Sequence, residues 1–198
     1  MNNHIDNELL FNYSNGNIEP ALSLAIALHQ KNCQSCRQKI TDLESNHGQN
    51  LEISESSSIE RSKNLDGEKI TTTDVGEEDT LNYAVAEINR PLLNQLLNFN
   101  HNEFEWQKLS SKISSVSLDL YDPSFKVSLL RFSANVKIPK HTHLGKEFTY
   151  VIEGDFNDHK GKHNAGDFIM CDSSDEHKPI VGTSGCVCLA ITDAPLRF

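Results

Sequence analysis

Two groups of side chains in the sequence have the residue types and spacing of metal ligands. The first is His29-x-x-x-Cys33-x-x-Cys36, with His4 upstream. On a helix, spacings of four and three bring His29, Cys33 and Cys36 to one face, and a short turn at Cys33 would equally let the two sulfurs converge. Two thiolates and imidazole suit Zn²⁺, and His4 is the other histidine of residues 1–40 able to close a tetrahedron. Two alternatives are a pair of buried structural cysteines and a thioredoxin-like redox pair, the latter lacking any surrounding βαβ pattern.

The second group is His141-x-His143-x-x-x-Glu147, with His177 much further on. In a strand, positions 141 and 143 point to the same face, and Gly145 allows a turn that brings Glu147 alongside them. Three imidazoles and one carboxylate make a borderline site for Zn²⁺, Fe²⁺, Mn²⁺ or Ni²⁺, so the ligands do not choose the metal. Histidines scattered over a β surface are the alternative. His159 and His163, in a turn region bearing glycine and lysine, and His47 are expected to be solvated. Cys186 and Cys188 alternate in a strand and read as small buried hydrophobes. If accessible and of lowered pKa, they or Cys171 could instead sense an oxidant.

The elements that must position these groups change character along the chain. Residues 7–11 open a short helix that ends near Asn15-Gly16, and Glu19-Pro20 starts another, proline being favoured in the first turn. Residues 21–28 are apolar except for Ser23, so this helix is buried on more than one side, which about 40 residues cannot achieve alone. Leu22, Leu24, Ile26 and Leu28 are expected to divide between a bundle core and a partner's surface. Residues 80–88 have apolar spacings of four and three, and Pro91 starts a short helix carrying Leu92, Leu93, Leu96 and Leu97. From Ile113 the pattern becomes β. Residues 113–120, 125–138, 147–152, 168–171 and 186–192 are β-branched and aromatic stretches between Asp-Pro, Glu-Gly, Ala-Gly and Ser-Gly punctuation, which indicates a small sandwich or barrel.

Charge divides the chain in the same places. Of its 198 residues, 28 are acidic and 18 basic, a net charge of -10. Residues 41–80 hold 11 acids against Arg61, Lys63 and Lys69, a net of -8, with no aromatic residue and a run of serines at 56–58. Such a segment buries too little apolar surface to offset its ordering entropy and is expected to be largely flexible, its first residues extending the preceding helix. The flanking modules are nearly neutral, without the basic stripe that direct nucleic-acid binding requires. No apolar run, residues 24–28 included, comes near the roughly 18 residues of a membrane span. With no basic segment leading an apolar one at the N-terminus, a cytoplasmic protein is expected.

Both halves resemble known families. His29-x-x-x-Cys33-x-x-Cys36 with His4 is similar to the zinc anti-sigma domain, a small helical bundle. His141-Thr-His143-Leu-Gly-Lys-Glu147-Phe-Thr-Tyr-Val-Ile-Glu-Gly154 resembles the first cupin motif, and Ala165-Gly166-Asp167-Phe168 leading to His177 resembles the second, although no proline-x-glycine precedes His177. The order of the two, with the ending Thr192-Asp-Ala-Pro-Leu-Arg-Phe198, is similar to the ChrR anti-sigma factors. The resemblance implies an α + β multidomain chain. A small zinc-stabilised helical bundle (1–97, including the acidic segment) would be followed by a cupin-type antiparallel β-barrel (106–198).

It further implies a transcriptional regulator with two zinc ions per chain, at His4, His29, Cys33 and Cys36 and at His141, His143, Glu147 and His177. The helical half would sequester an extracytoplasmic-function sigma factor, and the cupin half would release it under singlet oxygen or related peroxides. Separately from the resemblance, the helices between the acidic segment and the barrel suggest a route for the signal: oxidant-driven change at His141, His143, Glu147, His177 or the nearby cysteines that alters how the barrel packs on residues 81–97. A cupin enzyme, such as a metal-dependent dioxygenase or isomerase with a helical zinc appendage, is the competing reading. It would be marked by iron or manganese at the second site, whereas four protein ligands tend to saturate zinc.

Overall fold

The structure is a computed structural model that describes residues 4–55 and 90–198, with side chains described for 4–46 and 90–198. The expected helix at 80–88 lies outside the described residues. Helix α1, Asn7–Ser14, begins where the Asp6 carboxylate accepts the Leu9 N–H at 2.8 Å, and it ends at Asn15, before Gly16 turns with φ 67°. Helix α2, Pro20–Asn32, has proline in its first turn but no side-chain cap from Glu19. Its exposed N–H end is served from far along the chain, by Asp122, whose Oδ2 accepts the Ala21 N–H at 3.0 Å. Helix α3 spans Gln34–Glu55 and helix α4 spans Arg90–Leu97, which buries Leu92, Leu93 and Leu96 as expected.

Helix α3 runs into the acidic segment, whose first residues were expected to extend the preceding helix, and continues to Glu55. Hydrogen bonds from Gln38 to Asp42 and from Thr41 and Ser45 to carbonyls one turn back accompany its exposed face. Residues 56–80 lie outside the described residues.

The β-rich half holds ten short antiparallel strands: β1 Gln107–Lys108, β2 Ile113–Leu118, β3 Lys126–Phe132, β4 His141–His143, β5 Glu147–Asp158, β6 Gly161–Asn164, β7 Phe168–Cys171, β8 Glu176–His177, β9 Ile180–Thr192 and β10 Leu196–Arg197. The larger sheet runs β1-β2-β3-β9-β5-β6 with β7 also on β5; the smaller runs β10-β4-β8. The expected antiparallel architecture is therefore present, laid out as two sheets whose ladders do not close into one ring among the described residues. Strand β3 stops at Phe132, short of the expected 138, because Asn135 adopts a left-handed φ of 59° in the turn that follows. Strands β5 and β9 run further than expected, with bulges between Val151 and Glu153 and between Gly154 and Phe156 bending the ladder instead of ending it.

Helix α2 occupies the centre. Residues 21–29 are all buried, and Leu24, Ala25, Ile26 and Ala27 are 0% exposed. One continuous apolar cluster joins α2 to Leu10 and Tyr13 of α1, Ile40 of α3, Leu92 and Leu96 of α4, and Phe148, Tyr150, Leu189 and Ile191 of the large sheet. Leu22, Leu24, Ile26 and Leu28, expected to divide between a bundle core and a partner's surface, are all buried here in a cluster shared by this chain's own helices and β sheet. Ala21, Leu28, His29 and Asn32 all hydrogen-bond to the β-rich half, and with Ala25 they trace one stripe along the helix. Among the described residues no helix is long and apolar enough to cross a membrane.

Candidate metal centres

The junction of α2 and α3 builds the first centre. His29 lies in the last turn of α2, and Cys33 breaks the helix with an extended φ/ψ of -118°/97°, its N–H still bonded to the His29 carbonyl at 2.9 Å. Cys36 follows in the first turn of α3, and His4 approaches from the segment before α1. One donor atom from each of these four residues lies within 4.8 Å of all the others. His4 Nδ1 is 3.2 Å from Cys33 Sγ and 3.6 Å from Cys36 Sγ. Tetrahedral zinc, with Zn–S near 2.3 Å and Zn–N near 2.0–2.1 Å, would set such an N···S edge at about 3.5 Å.

The histidine between them is prepared for the same role. His29 Nδ1 lies 2.8 Å from the Gly166 carbonyl, which fixes the proton there and leaves Nε2 as the free lone pair. That Nε2 is buried and has no hydrogen-bond partner, the state of a nitrogen meant for a metal ion. Burial also lowers the His29 pKa, keeping the ring neutral. Burial raises the Cys36 thiol, with Cys33 beside it adding to the effect, while the Cys36 N–H points to Cys33 Sγ at 3.5 Å. A cation bound here would offset that penalty by stabilising both thiolates. The four residues fit zinc.

The second centre lies between the two sheets. His141 and His143 alternate on β4 and face the same side; register pairs His141 with His177 of β8. Glu147 opens β5 after a tight turn in which the Asp193 carboxylate accepts the Lys146 N–H, and a Cβ at Gly145 would strike Asp193 Oδ1. Hence this position, read from sequence as a turn, also requires glycine for the close approach. His143 Nε2 is 2.9 Å from Glu147 Oε2, and His141 Nε2 is 2.9 Å from His177 Nε2. Donor atoms of all four again fall within 4.8 Å of one another, with the three histidines buried. The hydrogen bond to Glu147 raises the His143 pKa; burial lowers that of His141.

Each ring is oriented from behind. His141 Nδ1 faces the Pro139 carbonyl at 2.9 Å, His143 Nδ1 the Asp175 carbonyl at 3.4 Å, and His177 Nδ1 the Asp158 carboxylate at 2.9 Å. His141 and His177 therefore present Nε2 lone pairs to one point, as outer-shell acceptors do in metal sites, and His143 turns its Nε2 to Glu147 beside them. Asp158 also takes the His163 Nε2–H at 2.8 Å. His163, expected to be solvated, is instead 1% exposed; alternation along β6 turns it inward, where the carboxylate pairs with it. His159 is exposed as expected and bonds Asp175, while His47 lies outside the described side chains. Sequence reasoning missed Asp158, Asp175 and Gly166. Tertiary pairing brings them to the ligands, strand register for the two aspartates and docking of the two halves for Gly166.

Beside this centre lies a small cavity of about 90 Å³, walled by His141, Glu147, His177, Cys186, Cys188 and apolar side chains such as Phe156. The three cysteines of this half are buried. Burial pushes the Cys171 thiol up to about 12, and the hydrogen bond from Cys186 together with burial raises Cys188. The reading of these residues as buried hydrophobes matches this environment. The alternative of an accessible, acidic thiol sensor does not.

A family model described as the ChrR cupin-like domain matches residues 94–195. The chain belongs to the ChrR cupin-like family. Over 200 residues it is 28% identical to the anti-sigma-E factor ChrR of Cereibacter sphaeroides, covering 100% of this chain and 92% of that one. Among solved structures it is similar to the crystal structure of Rhodobacter sphaeroides SigE in complex with the anti-sigma ChrR. The TM-score is 0.71 and the identity 25%, over 96% of this chain and 98% of the other. The likeness thus extends through the helical half as well as the cupin half.

Proposed function

We propose that this chain is an anti-sigma factor, in which the helical half (1–97) binds an extracytoplasmic-function sigma factor and the cupin half (106–198) governs its release. The observation that carries this reading is the likeness, across both halves, to a protein crystallised with SigE. The relative's being a regulator also favours this reading over a cupin enzyme. The helical site takes zinc as a structural ion that fixes α2 against α3. The cupin site takes a second ion, with zinc as the first choice and iron, manganese or nickel compatible with its donors. The protein acts in the cytoplasm and touches neither membrane nor DNA directly.

Release under singlet oxygen or related peroxides is the finer part of the reading. Its support is the donor group of His141, His143, Glu147 and His177, three of which, His141, Glu147 and His177, line the cavity. In transcription reconstituted with an extracytoplasmic-function sigma factor of the same organism, the full chain is expected to inhibit, and Cys33→Ser is expected to relieve the inhibition. Inhibition that survives loss of the thiolate site would overturn the proposal. For the oxidant response, a reporter under photosensitised illumination should stay silent when the four cupin donors are replaced together. Induction in that strain would refute the assignment.

A further inference from the structure

The N-terminal metal centre is not built by the helical half alone. The His29 ring is held by a carbonyl of the cupin half, Gly166, at 2.8 Å, and lies edge-on to Phe168 with centroids 6.2 Å apart. That carbonyl sits in a stiff turn. Gly166 N–H donates to the Val151 carbonyl at 2.8 Å, Asp167 Oδ2 accepts the Asn164 N–H at 2.8 Å, and Val151 N–H donates to the Asp167 carbonyl at 3.0 Å. One turn along α2, Asn32 Nδ2 donates to Tyr150 Oη at 2.9 Å, and the tyrosine donates onward to the Leu28 carbonyl at 3.3 Å.

We propose that the turn 164–167 is the outer shell of the N-terminal metal site, its Gly166 carbonyl being the positioning group for His29. Docking of the cupin half and metal binding at His4, His29, Cys33 and Cys36 then strengthen each other. The argument is one of proton placement. A ring with its proton held at Nδ1 offers Nε2, the atom that is buried and unpartnered beside the thiols. A ring released from Gly166 is free to rotate, changes tautomer, and binds metal less well. Because coupling between two binding events is reciprocal, a metal ion at this site must hold the cupin half to α2 by the same factor.

Gly166 supplies the test, since its φ is 92° and an added Cβ would stand 3.3 Å from Asn32 Cβ. Gly166→Ala in the full chain therefore lifts the turn from α2 without altering any ligand. The probe is Co²⁺, whose thiolate charge-transfer absorption reports the Cys33/Cys36 site and is silent for a site of histidines and glutamate. The variant is expected to bind Co²⁺ at that site roughly 10- to 100-fold more weakly, with its circular dichroism and cupin metal content unchanged. Affinity equal to wild type overturns the proposal.

If the variant does not fold, the wild type decides by nitrogen-correlated NMR. A slowly exchanging His29 Nδ1–H close to the Gly166 Hα supports the link, whereas a metal-bound Nδ1 or a freely exchanging proton sinks it. The inference rests on the metal reading of this group. Its failure is separable, because a wild type that develops no thiolate–cobalt band refutes the metal site itself.

Discussion

The Nε2 atoms of His141 and His177 lie 2.9 Å apart, and both rings turn Nδ1 to an oxygen acceptor. A neutral imidazole has one ring proton, so two lone pairs face each other here, an arrangement that a cation relieves. His177→Ala is accordingly expected to empty the cupin site and spare the thiolate site. Metal per chain should fall to about half of the wild-type value, with the thiolate–cobalt band intact, as four-ligand sites lose affinity on losing one donor. Unchanged metal content would show that these histidines are not ligands.

Asp158 extends the same argument to a residue outside the four donors. Its carboxylate holds both His177 and His163, and its side chain is 0% exposed. Asp158→Asn should weaken cupin metal binding by roughly 10- to 100-fold, measured by chelator competition. A value within twofold of wild type would leave the carboxylate no orienting role.

Acid sensitivity follows from the same group. Burial would raise the Asp158 pKa, but hydrogen bonds from His163, His177 and the Lys160 N–H outweigh it and hold the carboxyl well below its ordinary range. A carboxyl lowered on folding stabilises the folded chain above its unfolded pKa, near 4, and loses that contribution as pH falls through the folded value. Between about pH 5 and pH 2, the urea midpoint of the metal-free wild type should therefore fall more steeply than that of Asp158→Asn. Parallel curves would contradict this.

The buried thiols give a chemical prediction. With Cys171 pushed up to about 12 and Cys188 also raised, both should resist iodoacetamide at pH 8 in the folded chain and react once it is denatured. Rapid labelling of either in native protein, read by mass spectrometry, would restore the thiol-sensor alternative.

Packing of α2 is testable at Leu24, which is fully buried in the shared cluster. Leu24→Ala should cost about 2–5 kcal/mol, and Asp122→Ala about 1 kcal/mol through loss of the cap on the Ala21 N–H. Thermal melts that leave Leu24→Ala within about 1 kcal/mol of wild type would mean the helix has room to relax.

Much of both centres was legible because helical and strand periods are local. His29, Cys33 and Cys36 needed only a helix and a break, and His141 and His143 only alternation. What sequence could not supply was register. Asp158 reaches His177 through the pairing of β5 with β9, which sets Asn157 opposite Ile180, and Gly166 reaches His29 through the docking of two halves more than a hundred residues apart. The same blindness leaves open what covers the apolar face of α2. Periodicity shows that a face must be covered and is silent on whether the cover is another protein or this one. His163 was misread for a related reason: a histidine next to a glycine-bearing turn looks solvated until its neighbours across the hairpin are known.

The enclosure of α2 turns recognition through that helix into an exchange reaction. A protein that grips the stripe of Ala21, Ala25, Leu28 and Asn32 gains no bare surface, because it must first displace the Asp122, Tyr150 and Gly166 contacts already made. Its apparent affinity equals its intrinsic affinity multiplied by the fraction of chains in which the cupin half stands open. Anything that shifts this fraction sets the strength of such a complex from a distance, with no change to a single residue at the contact.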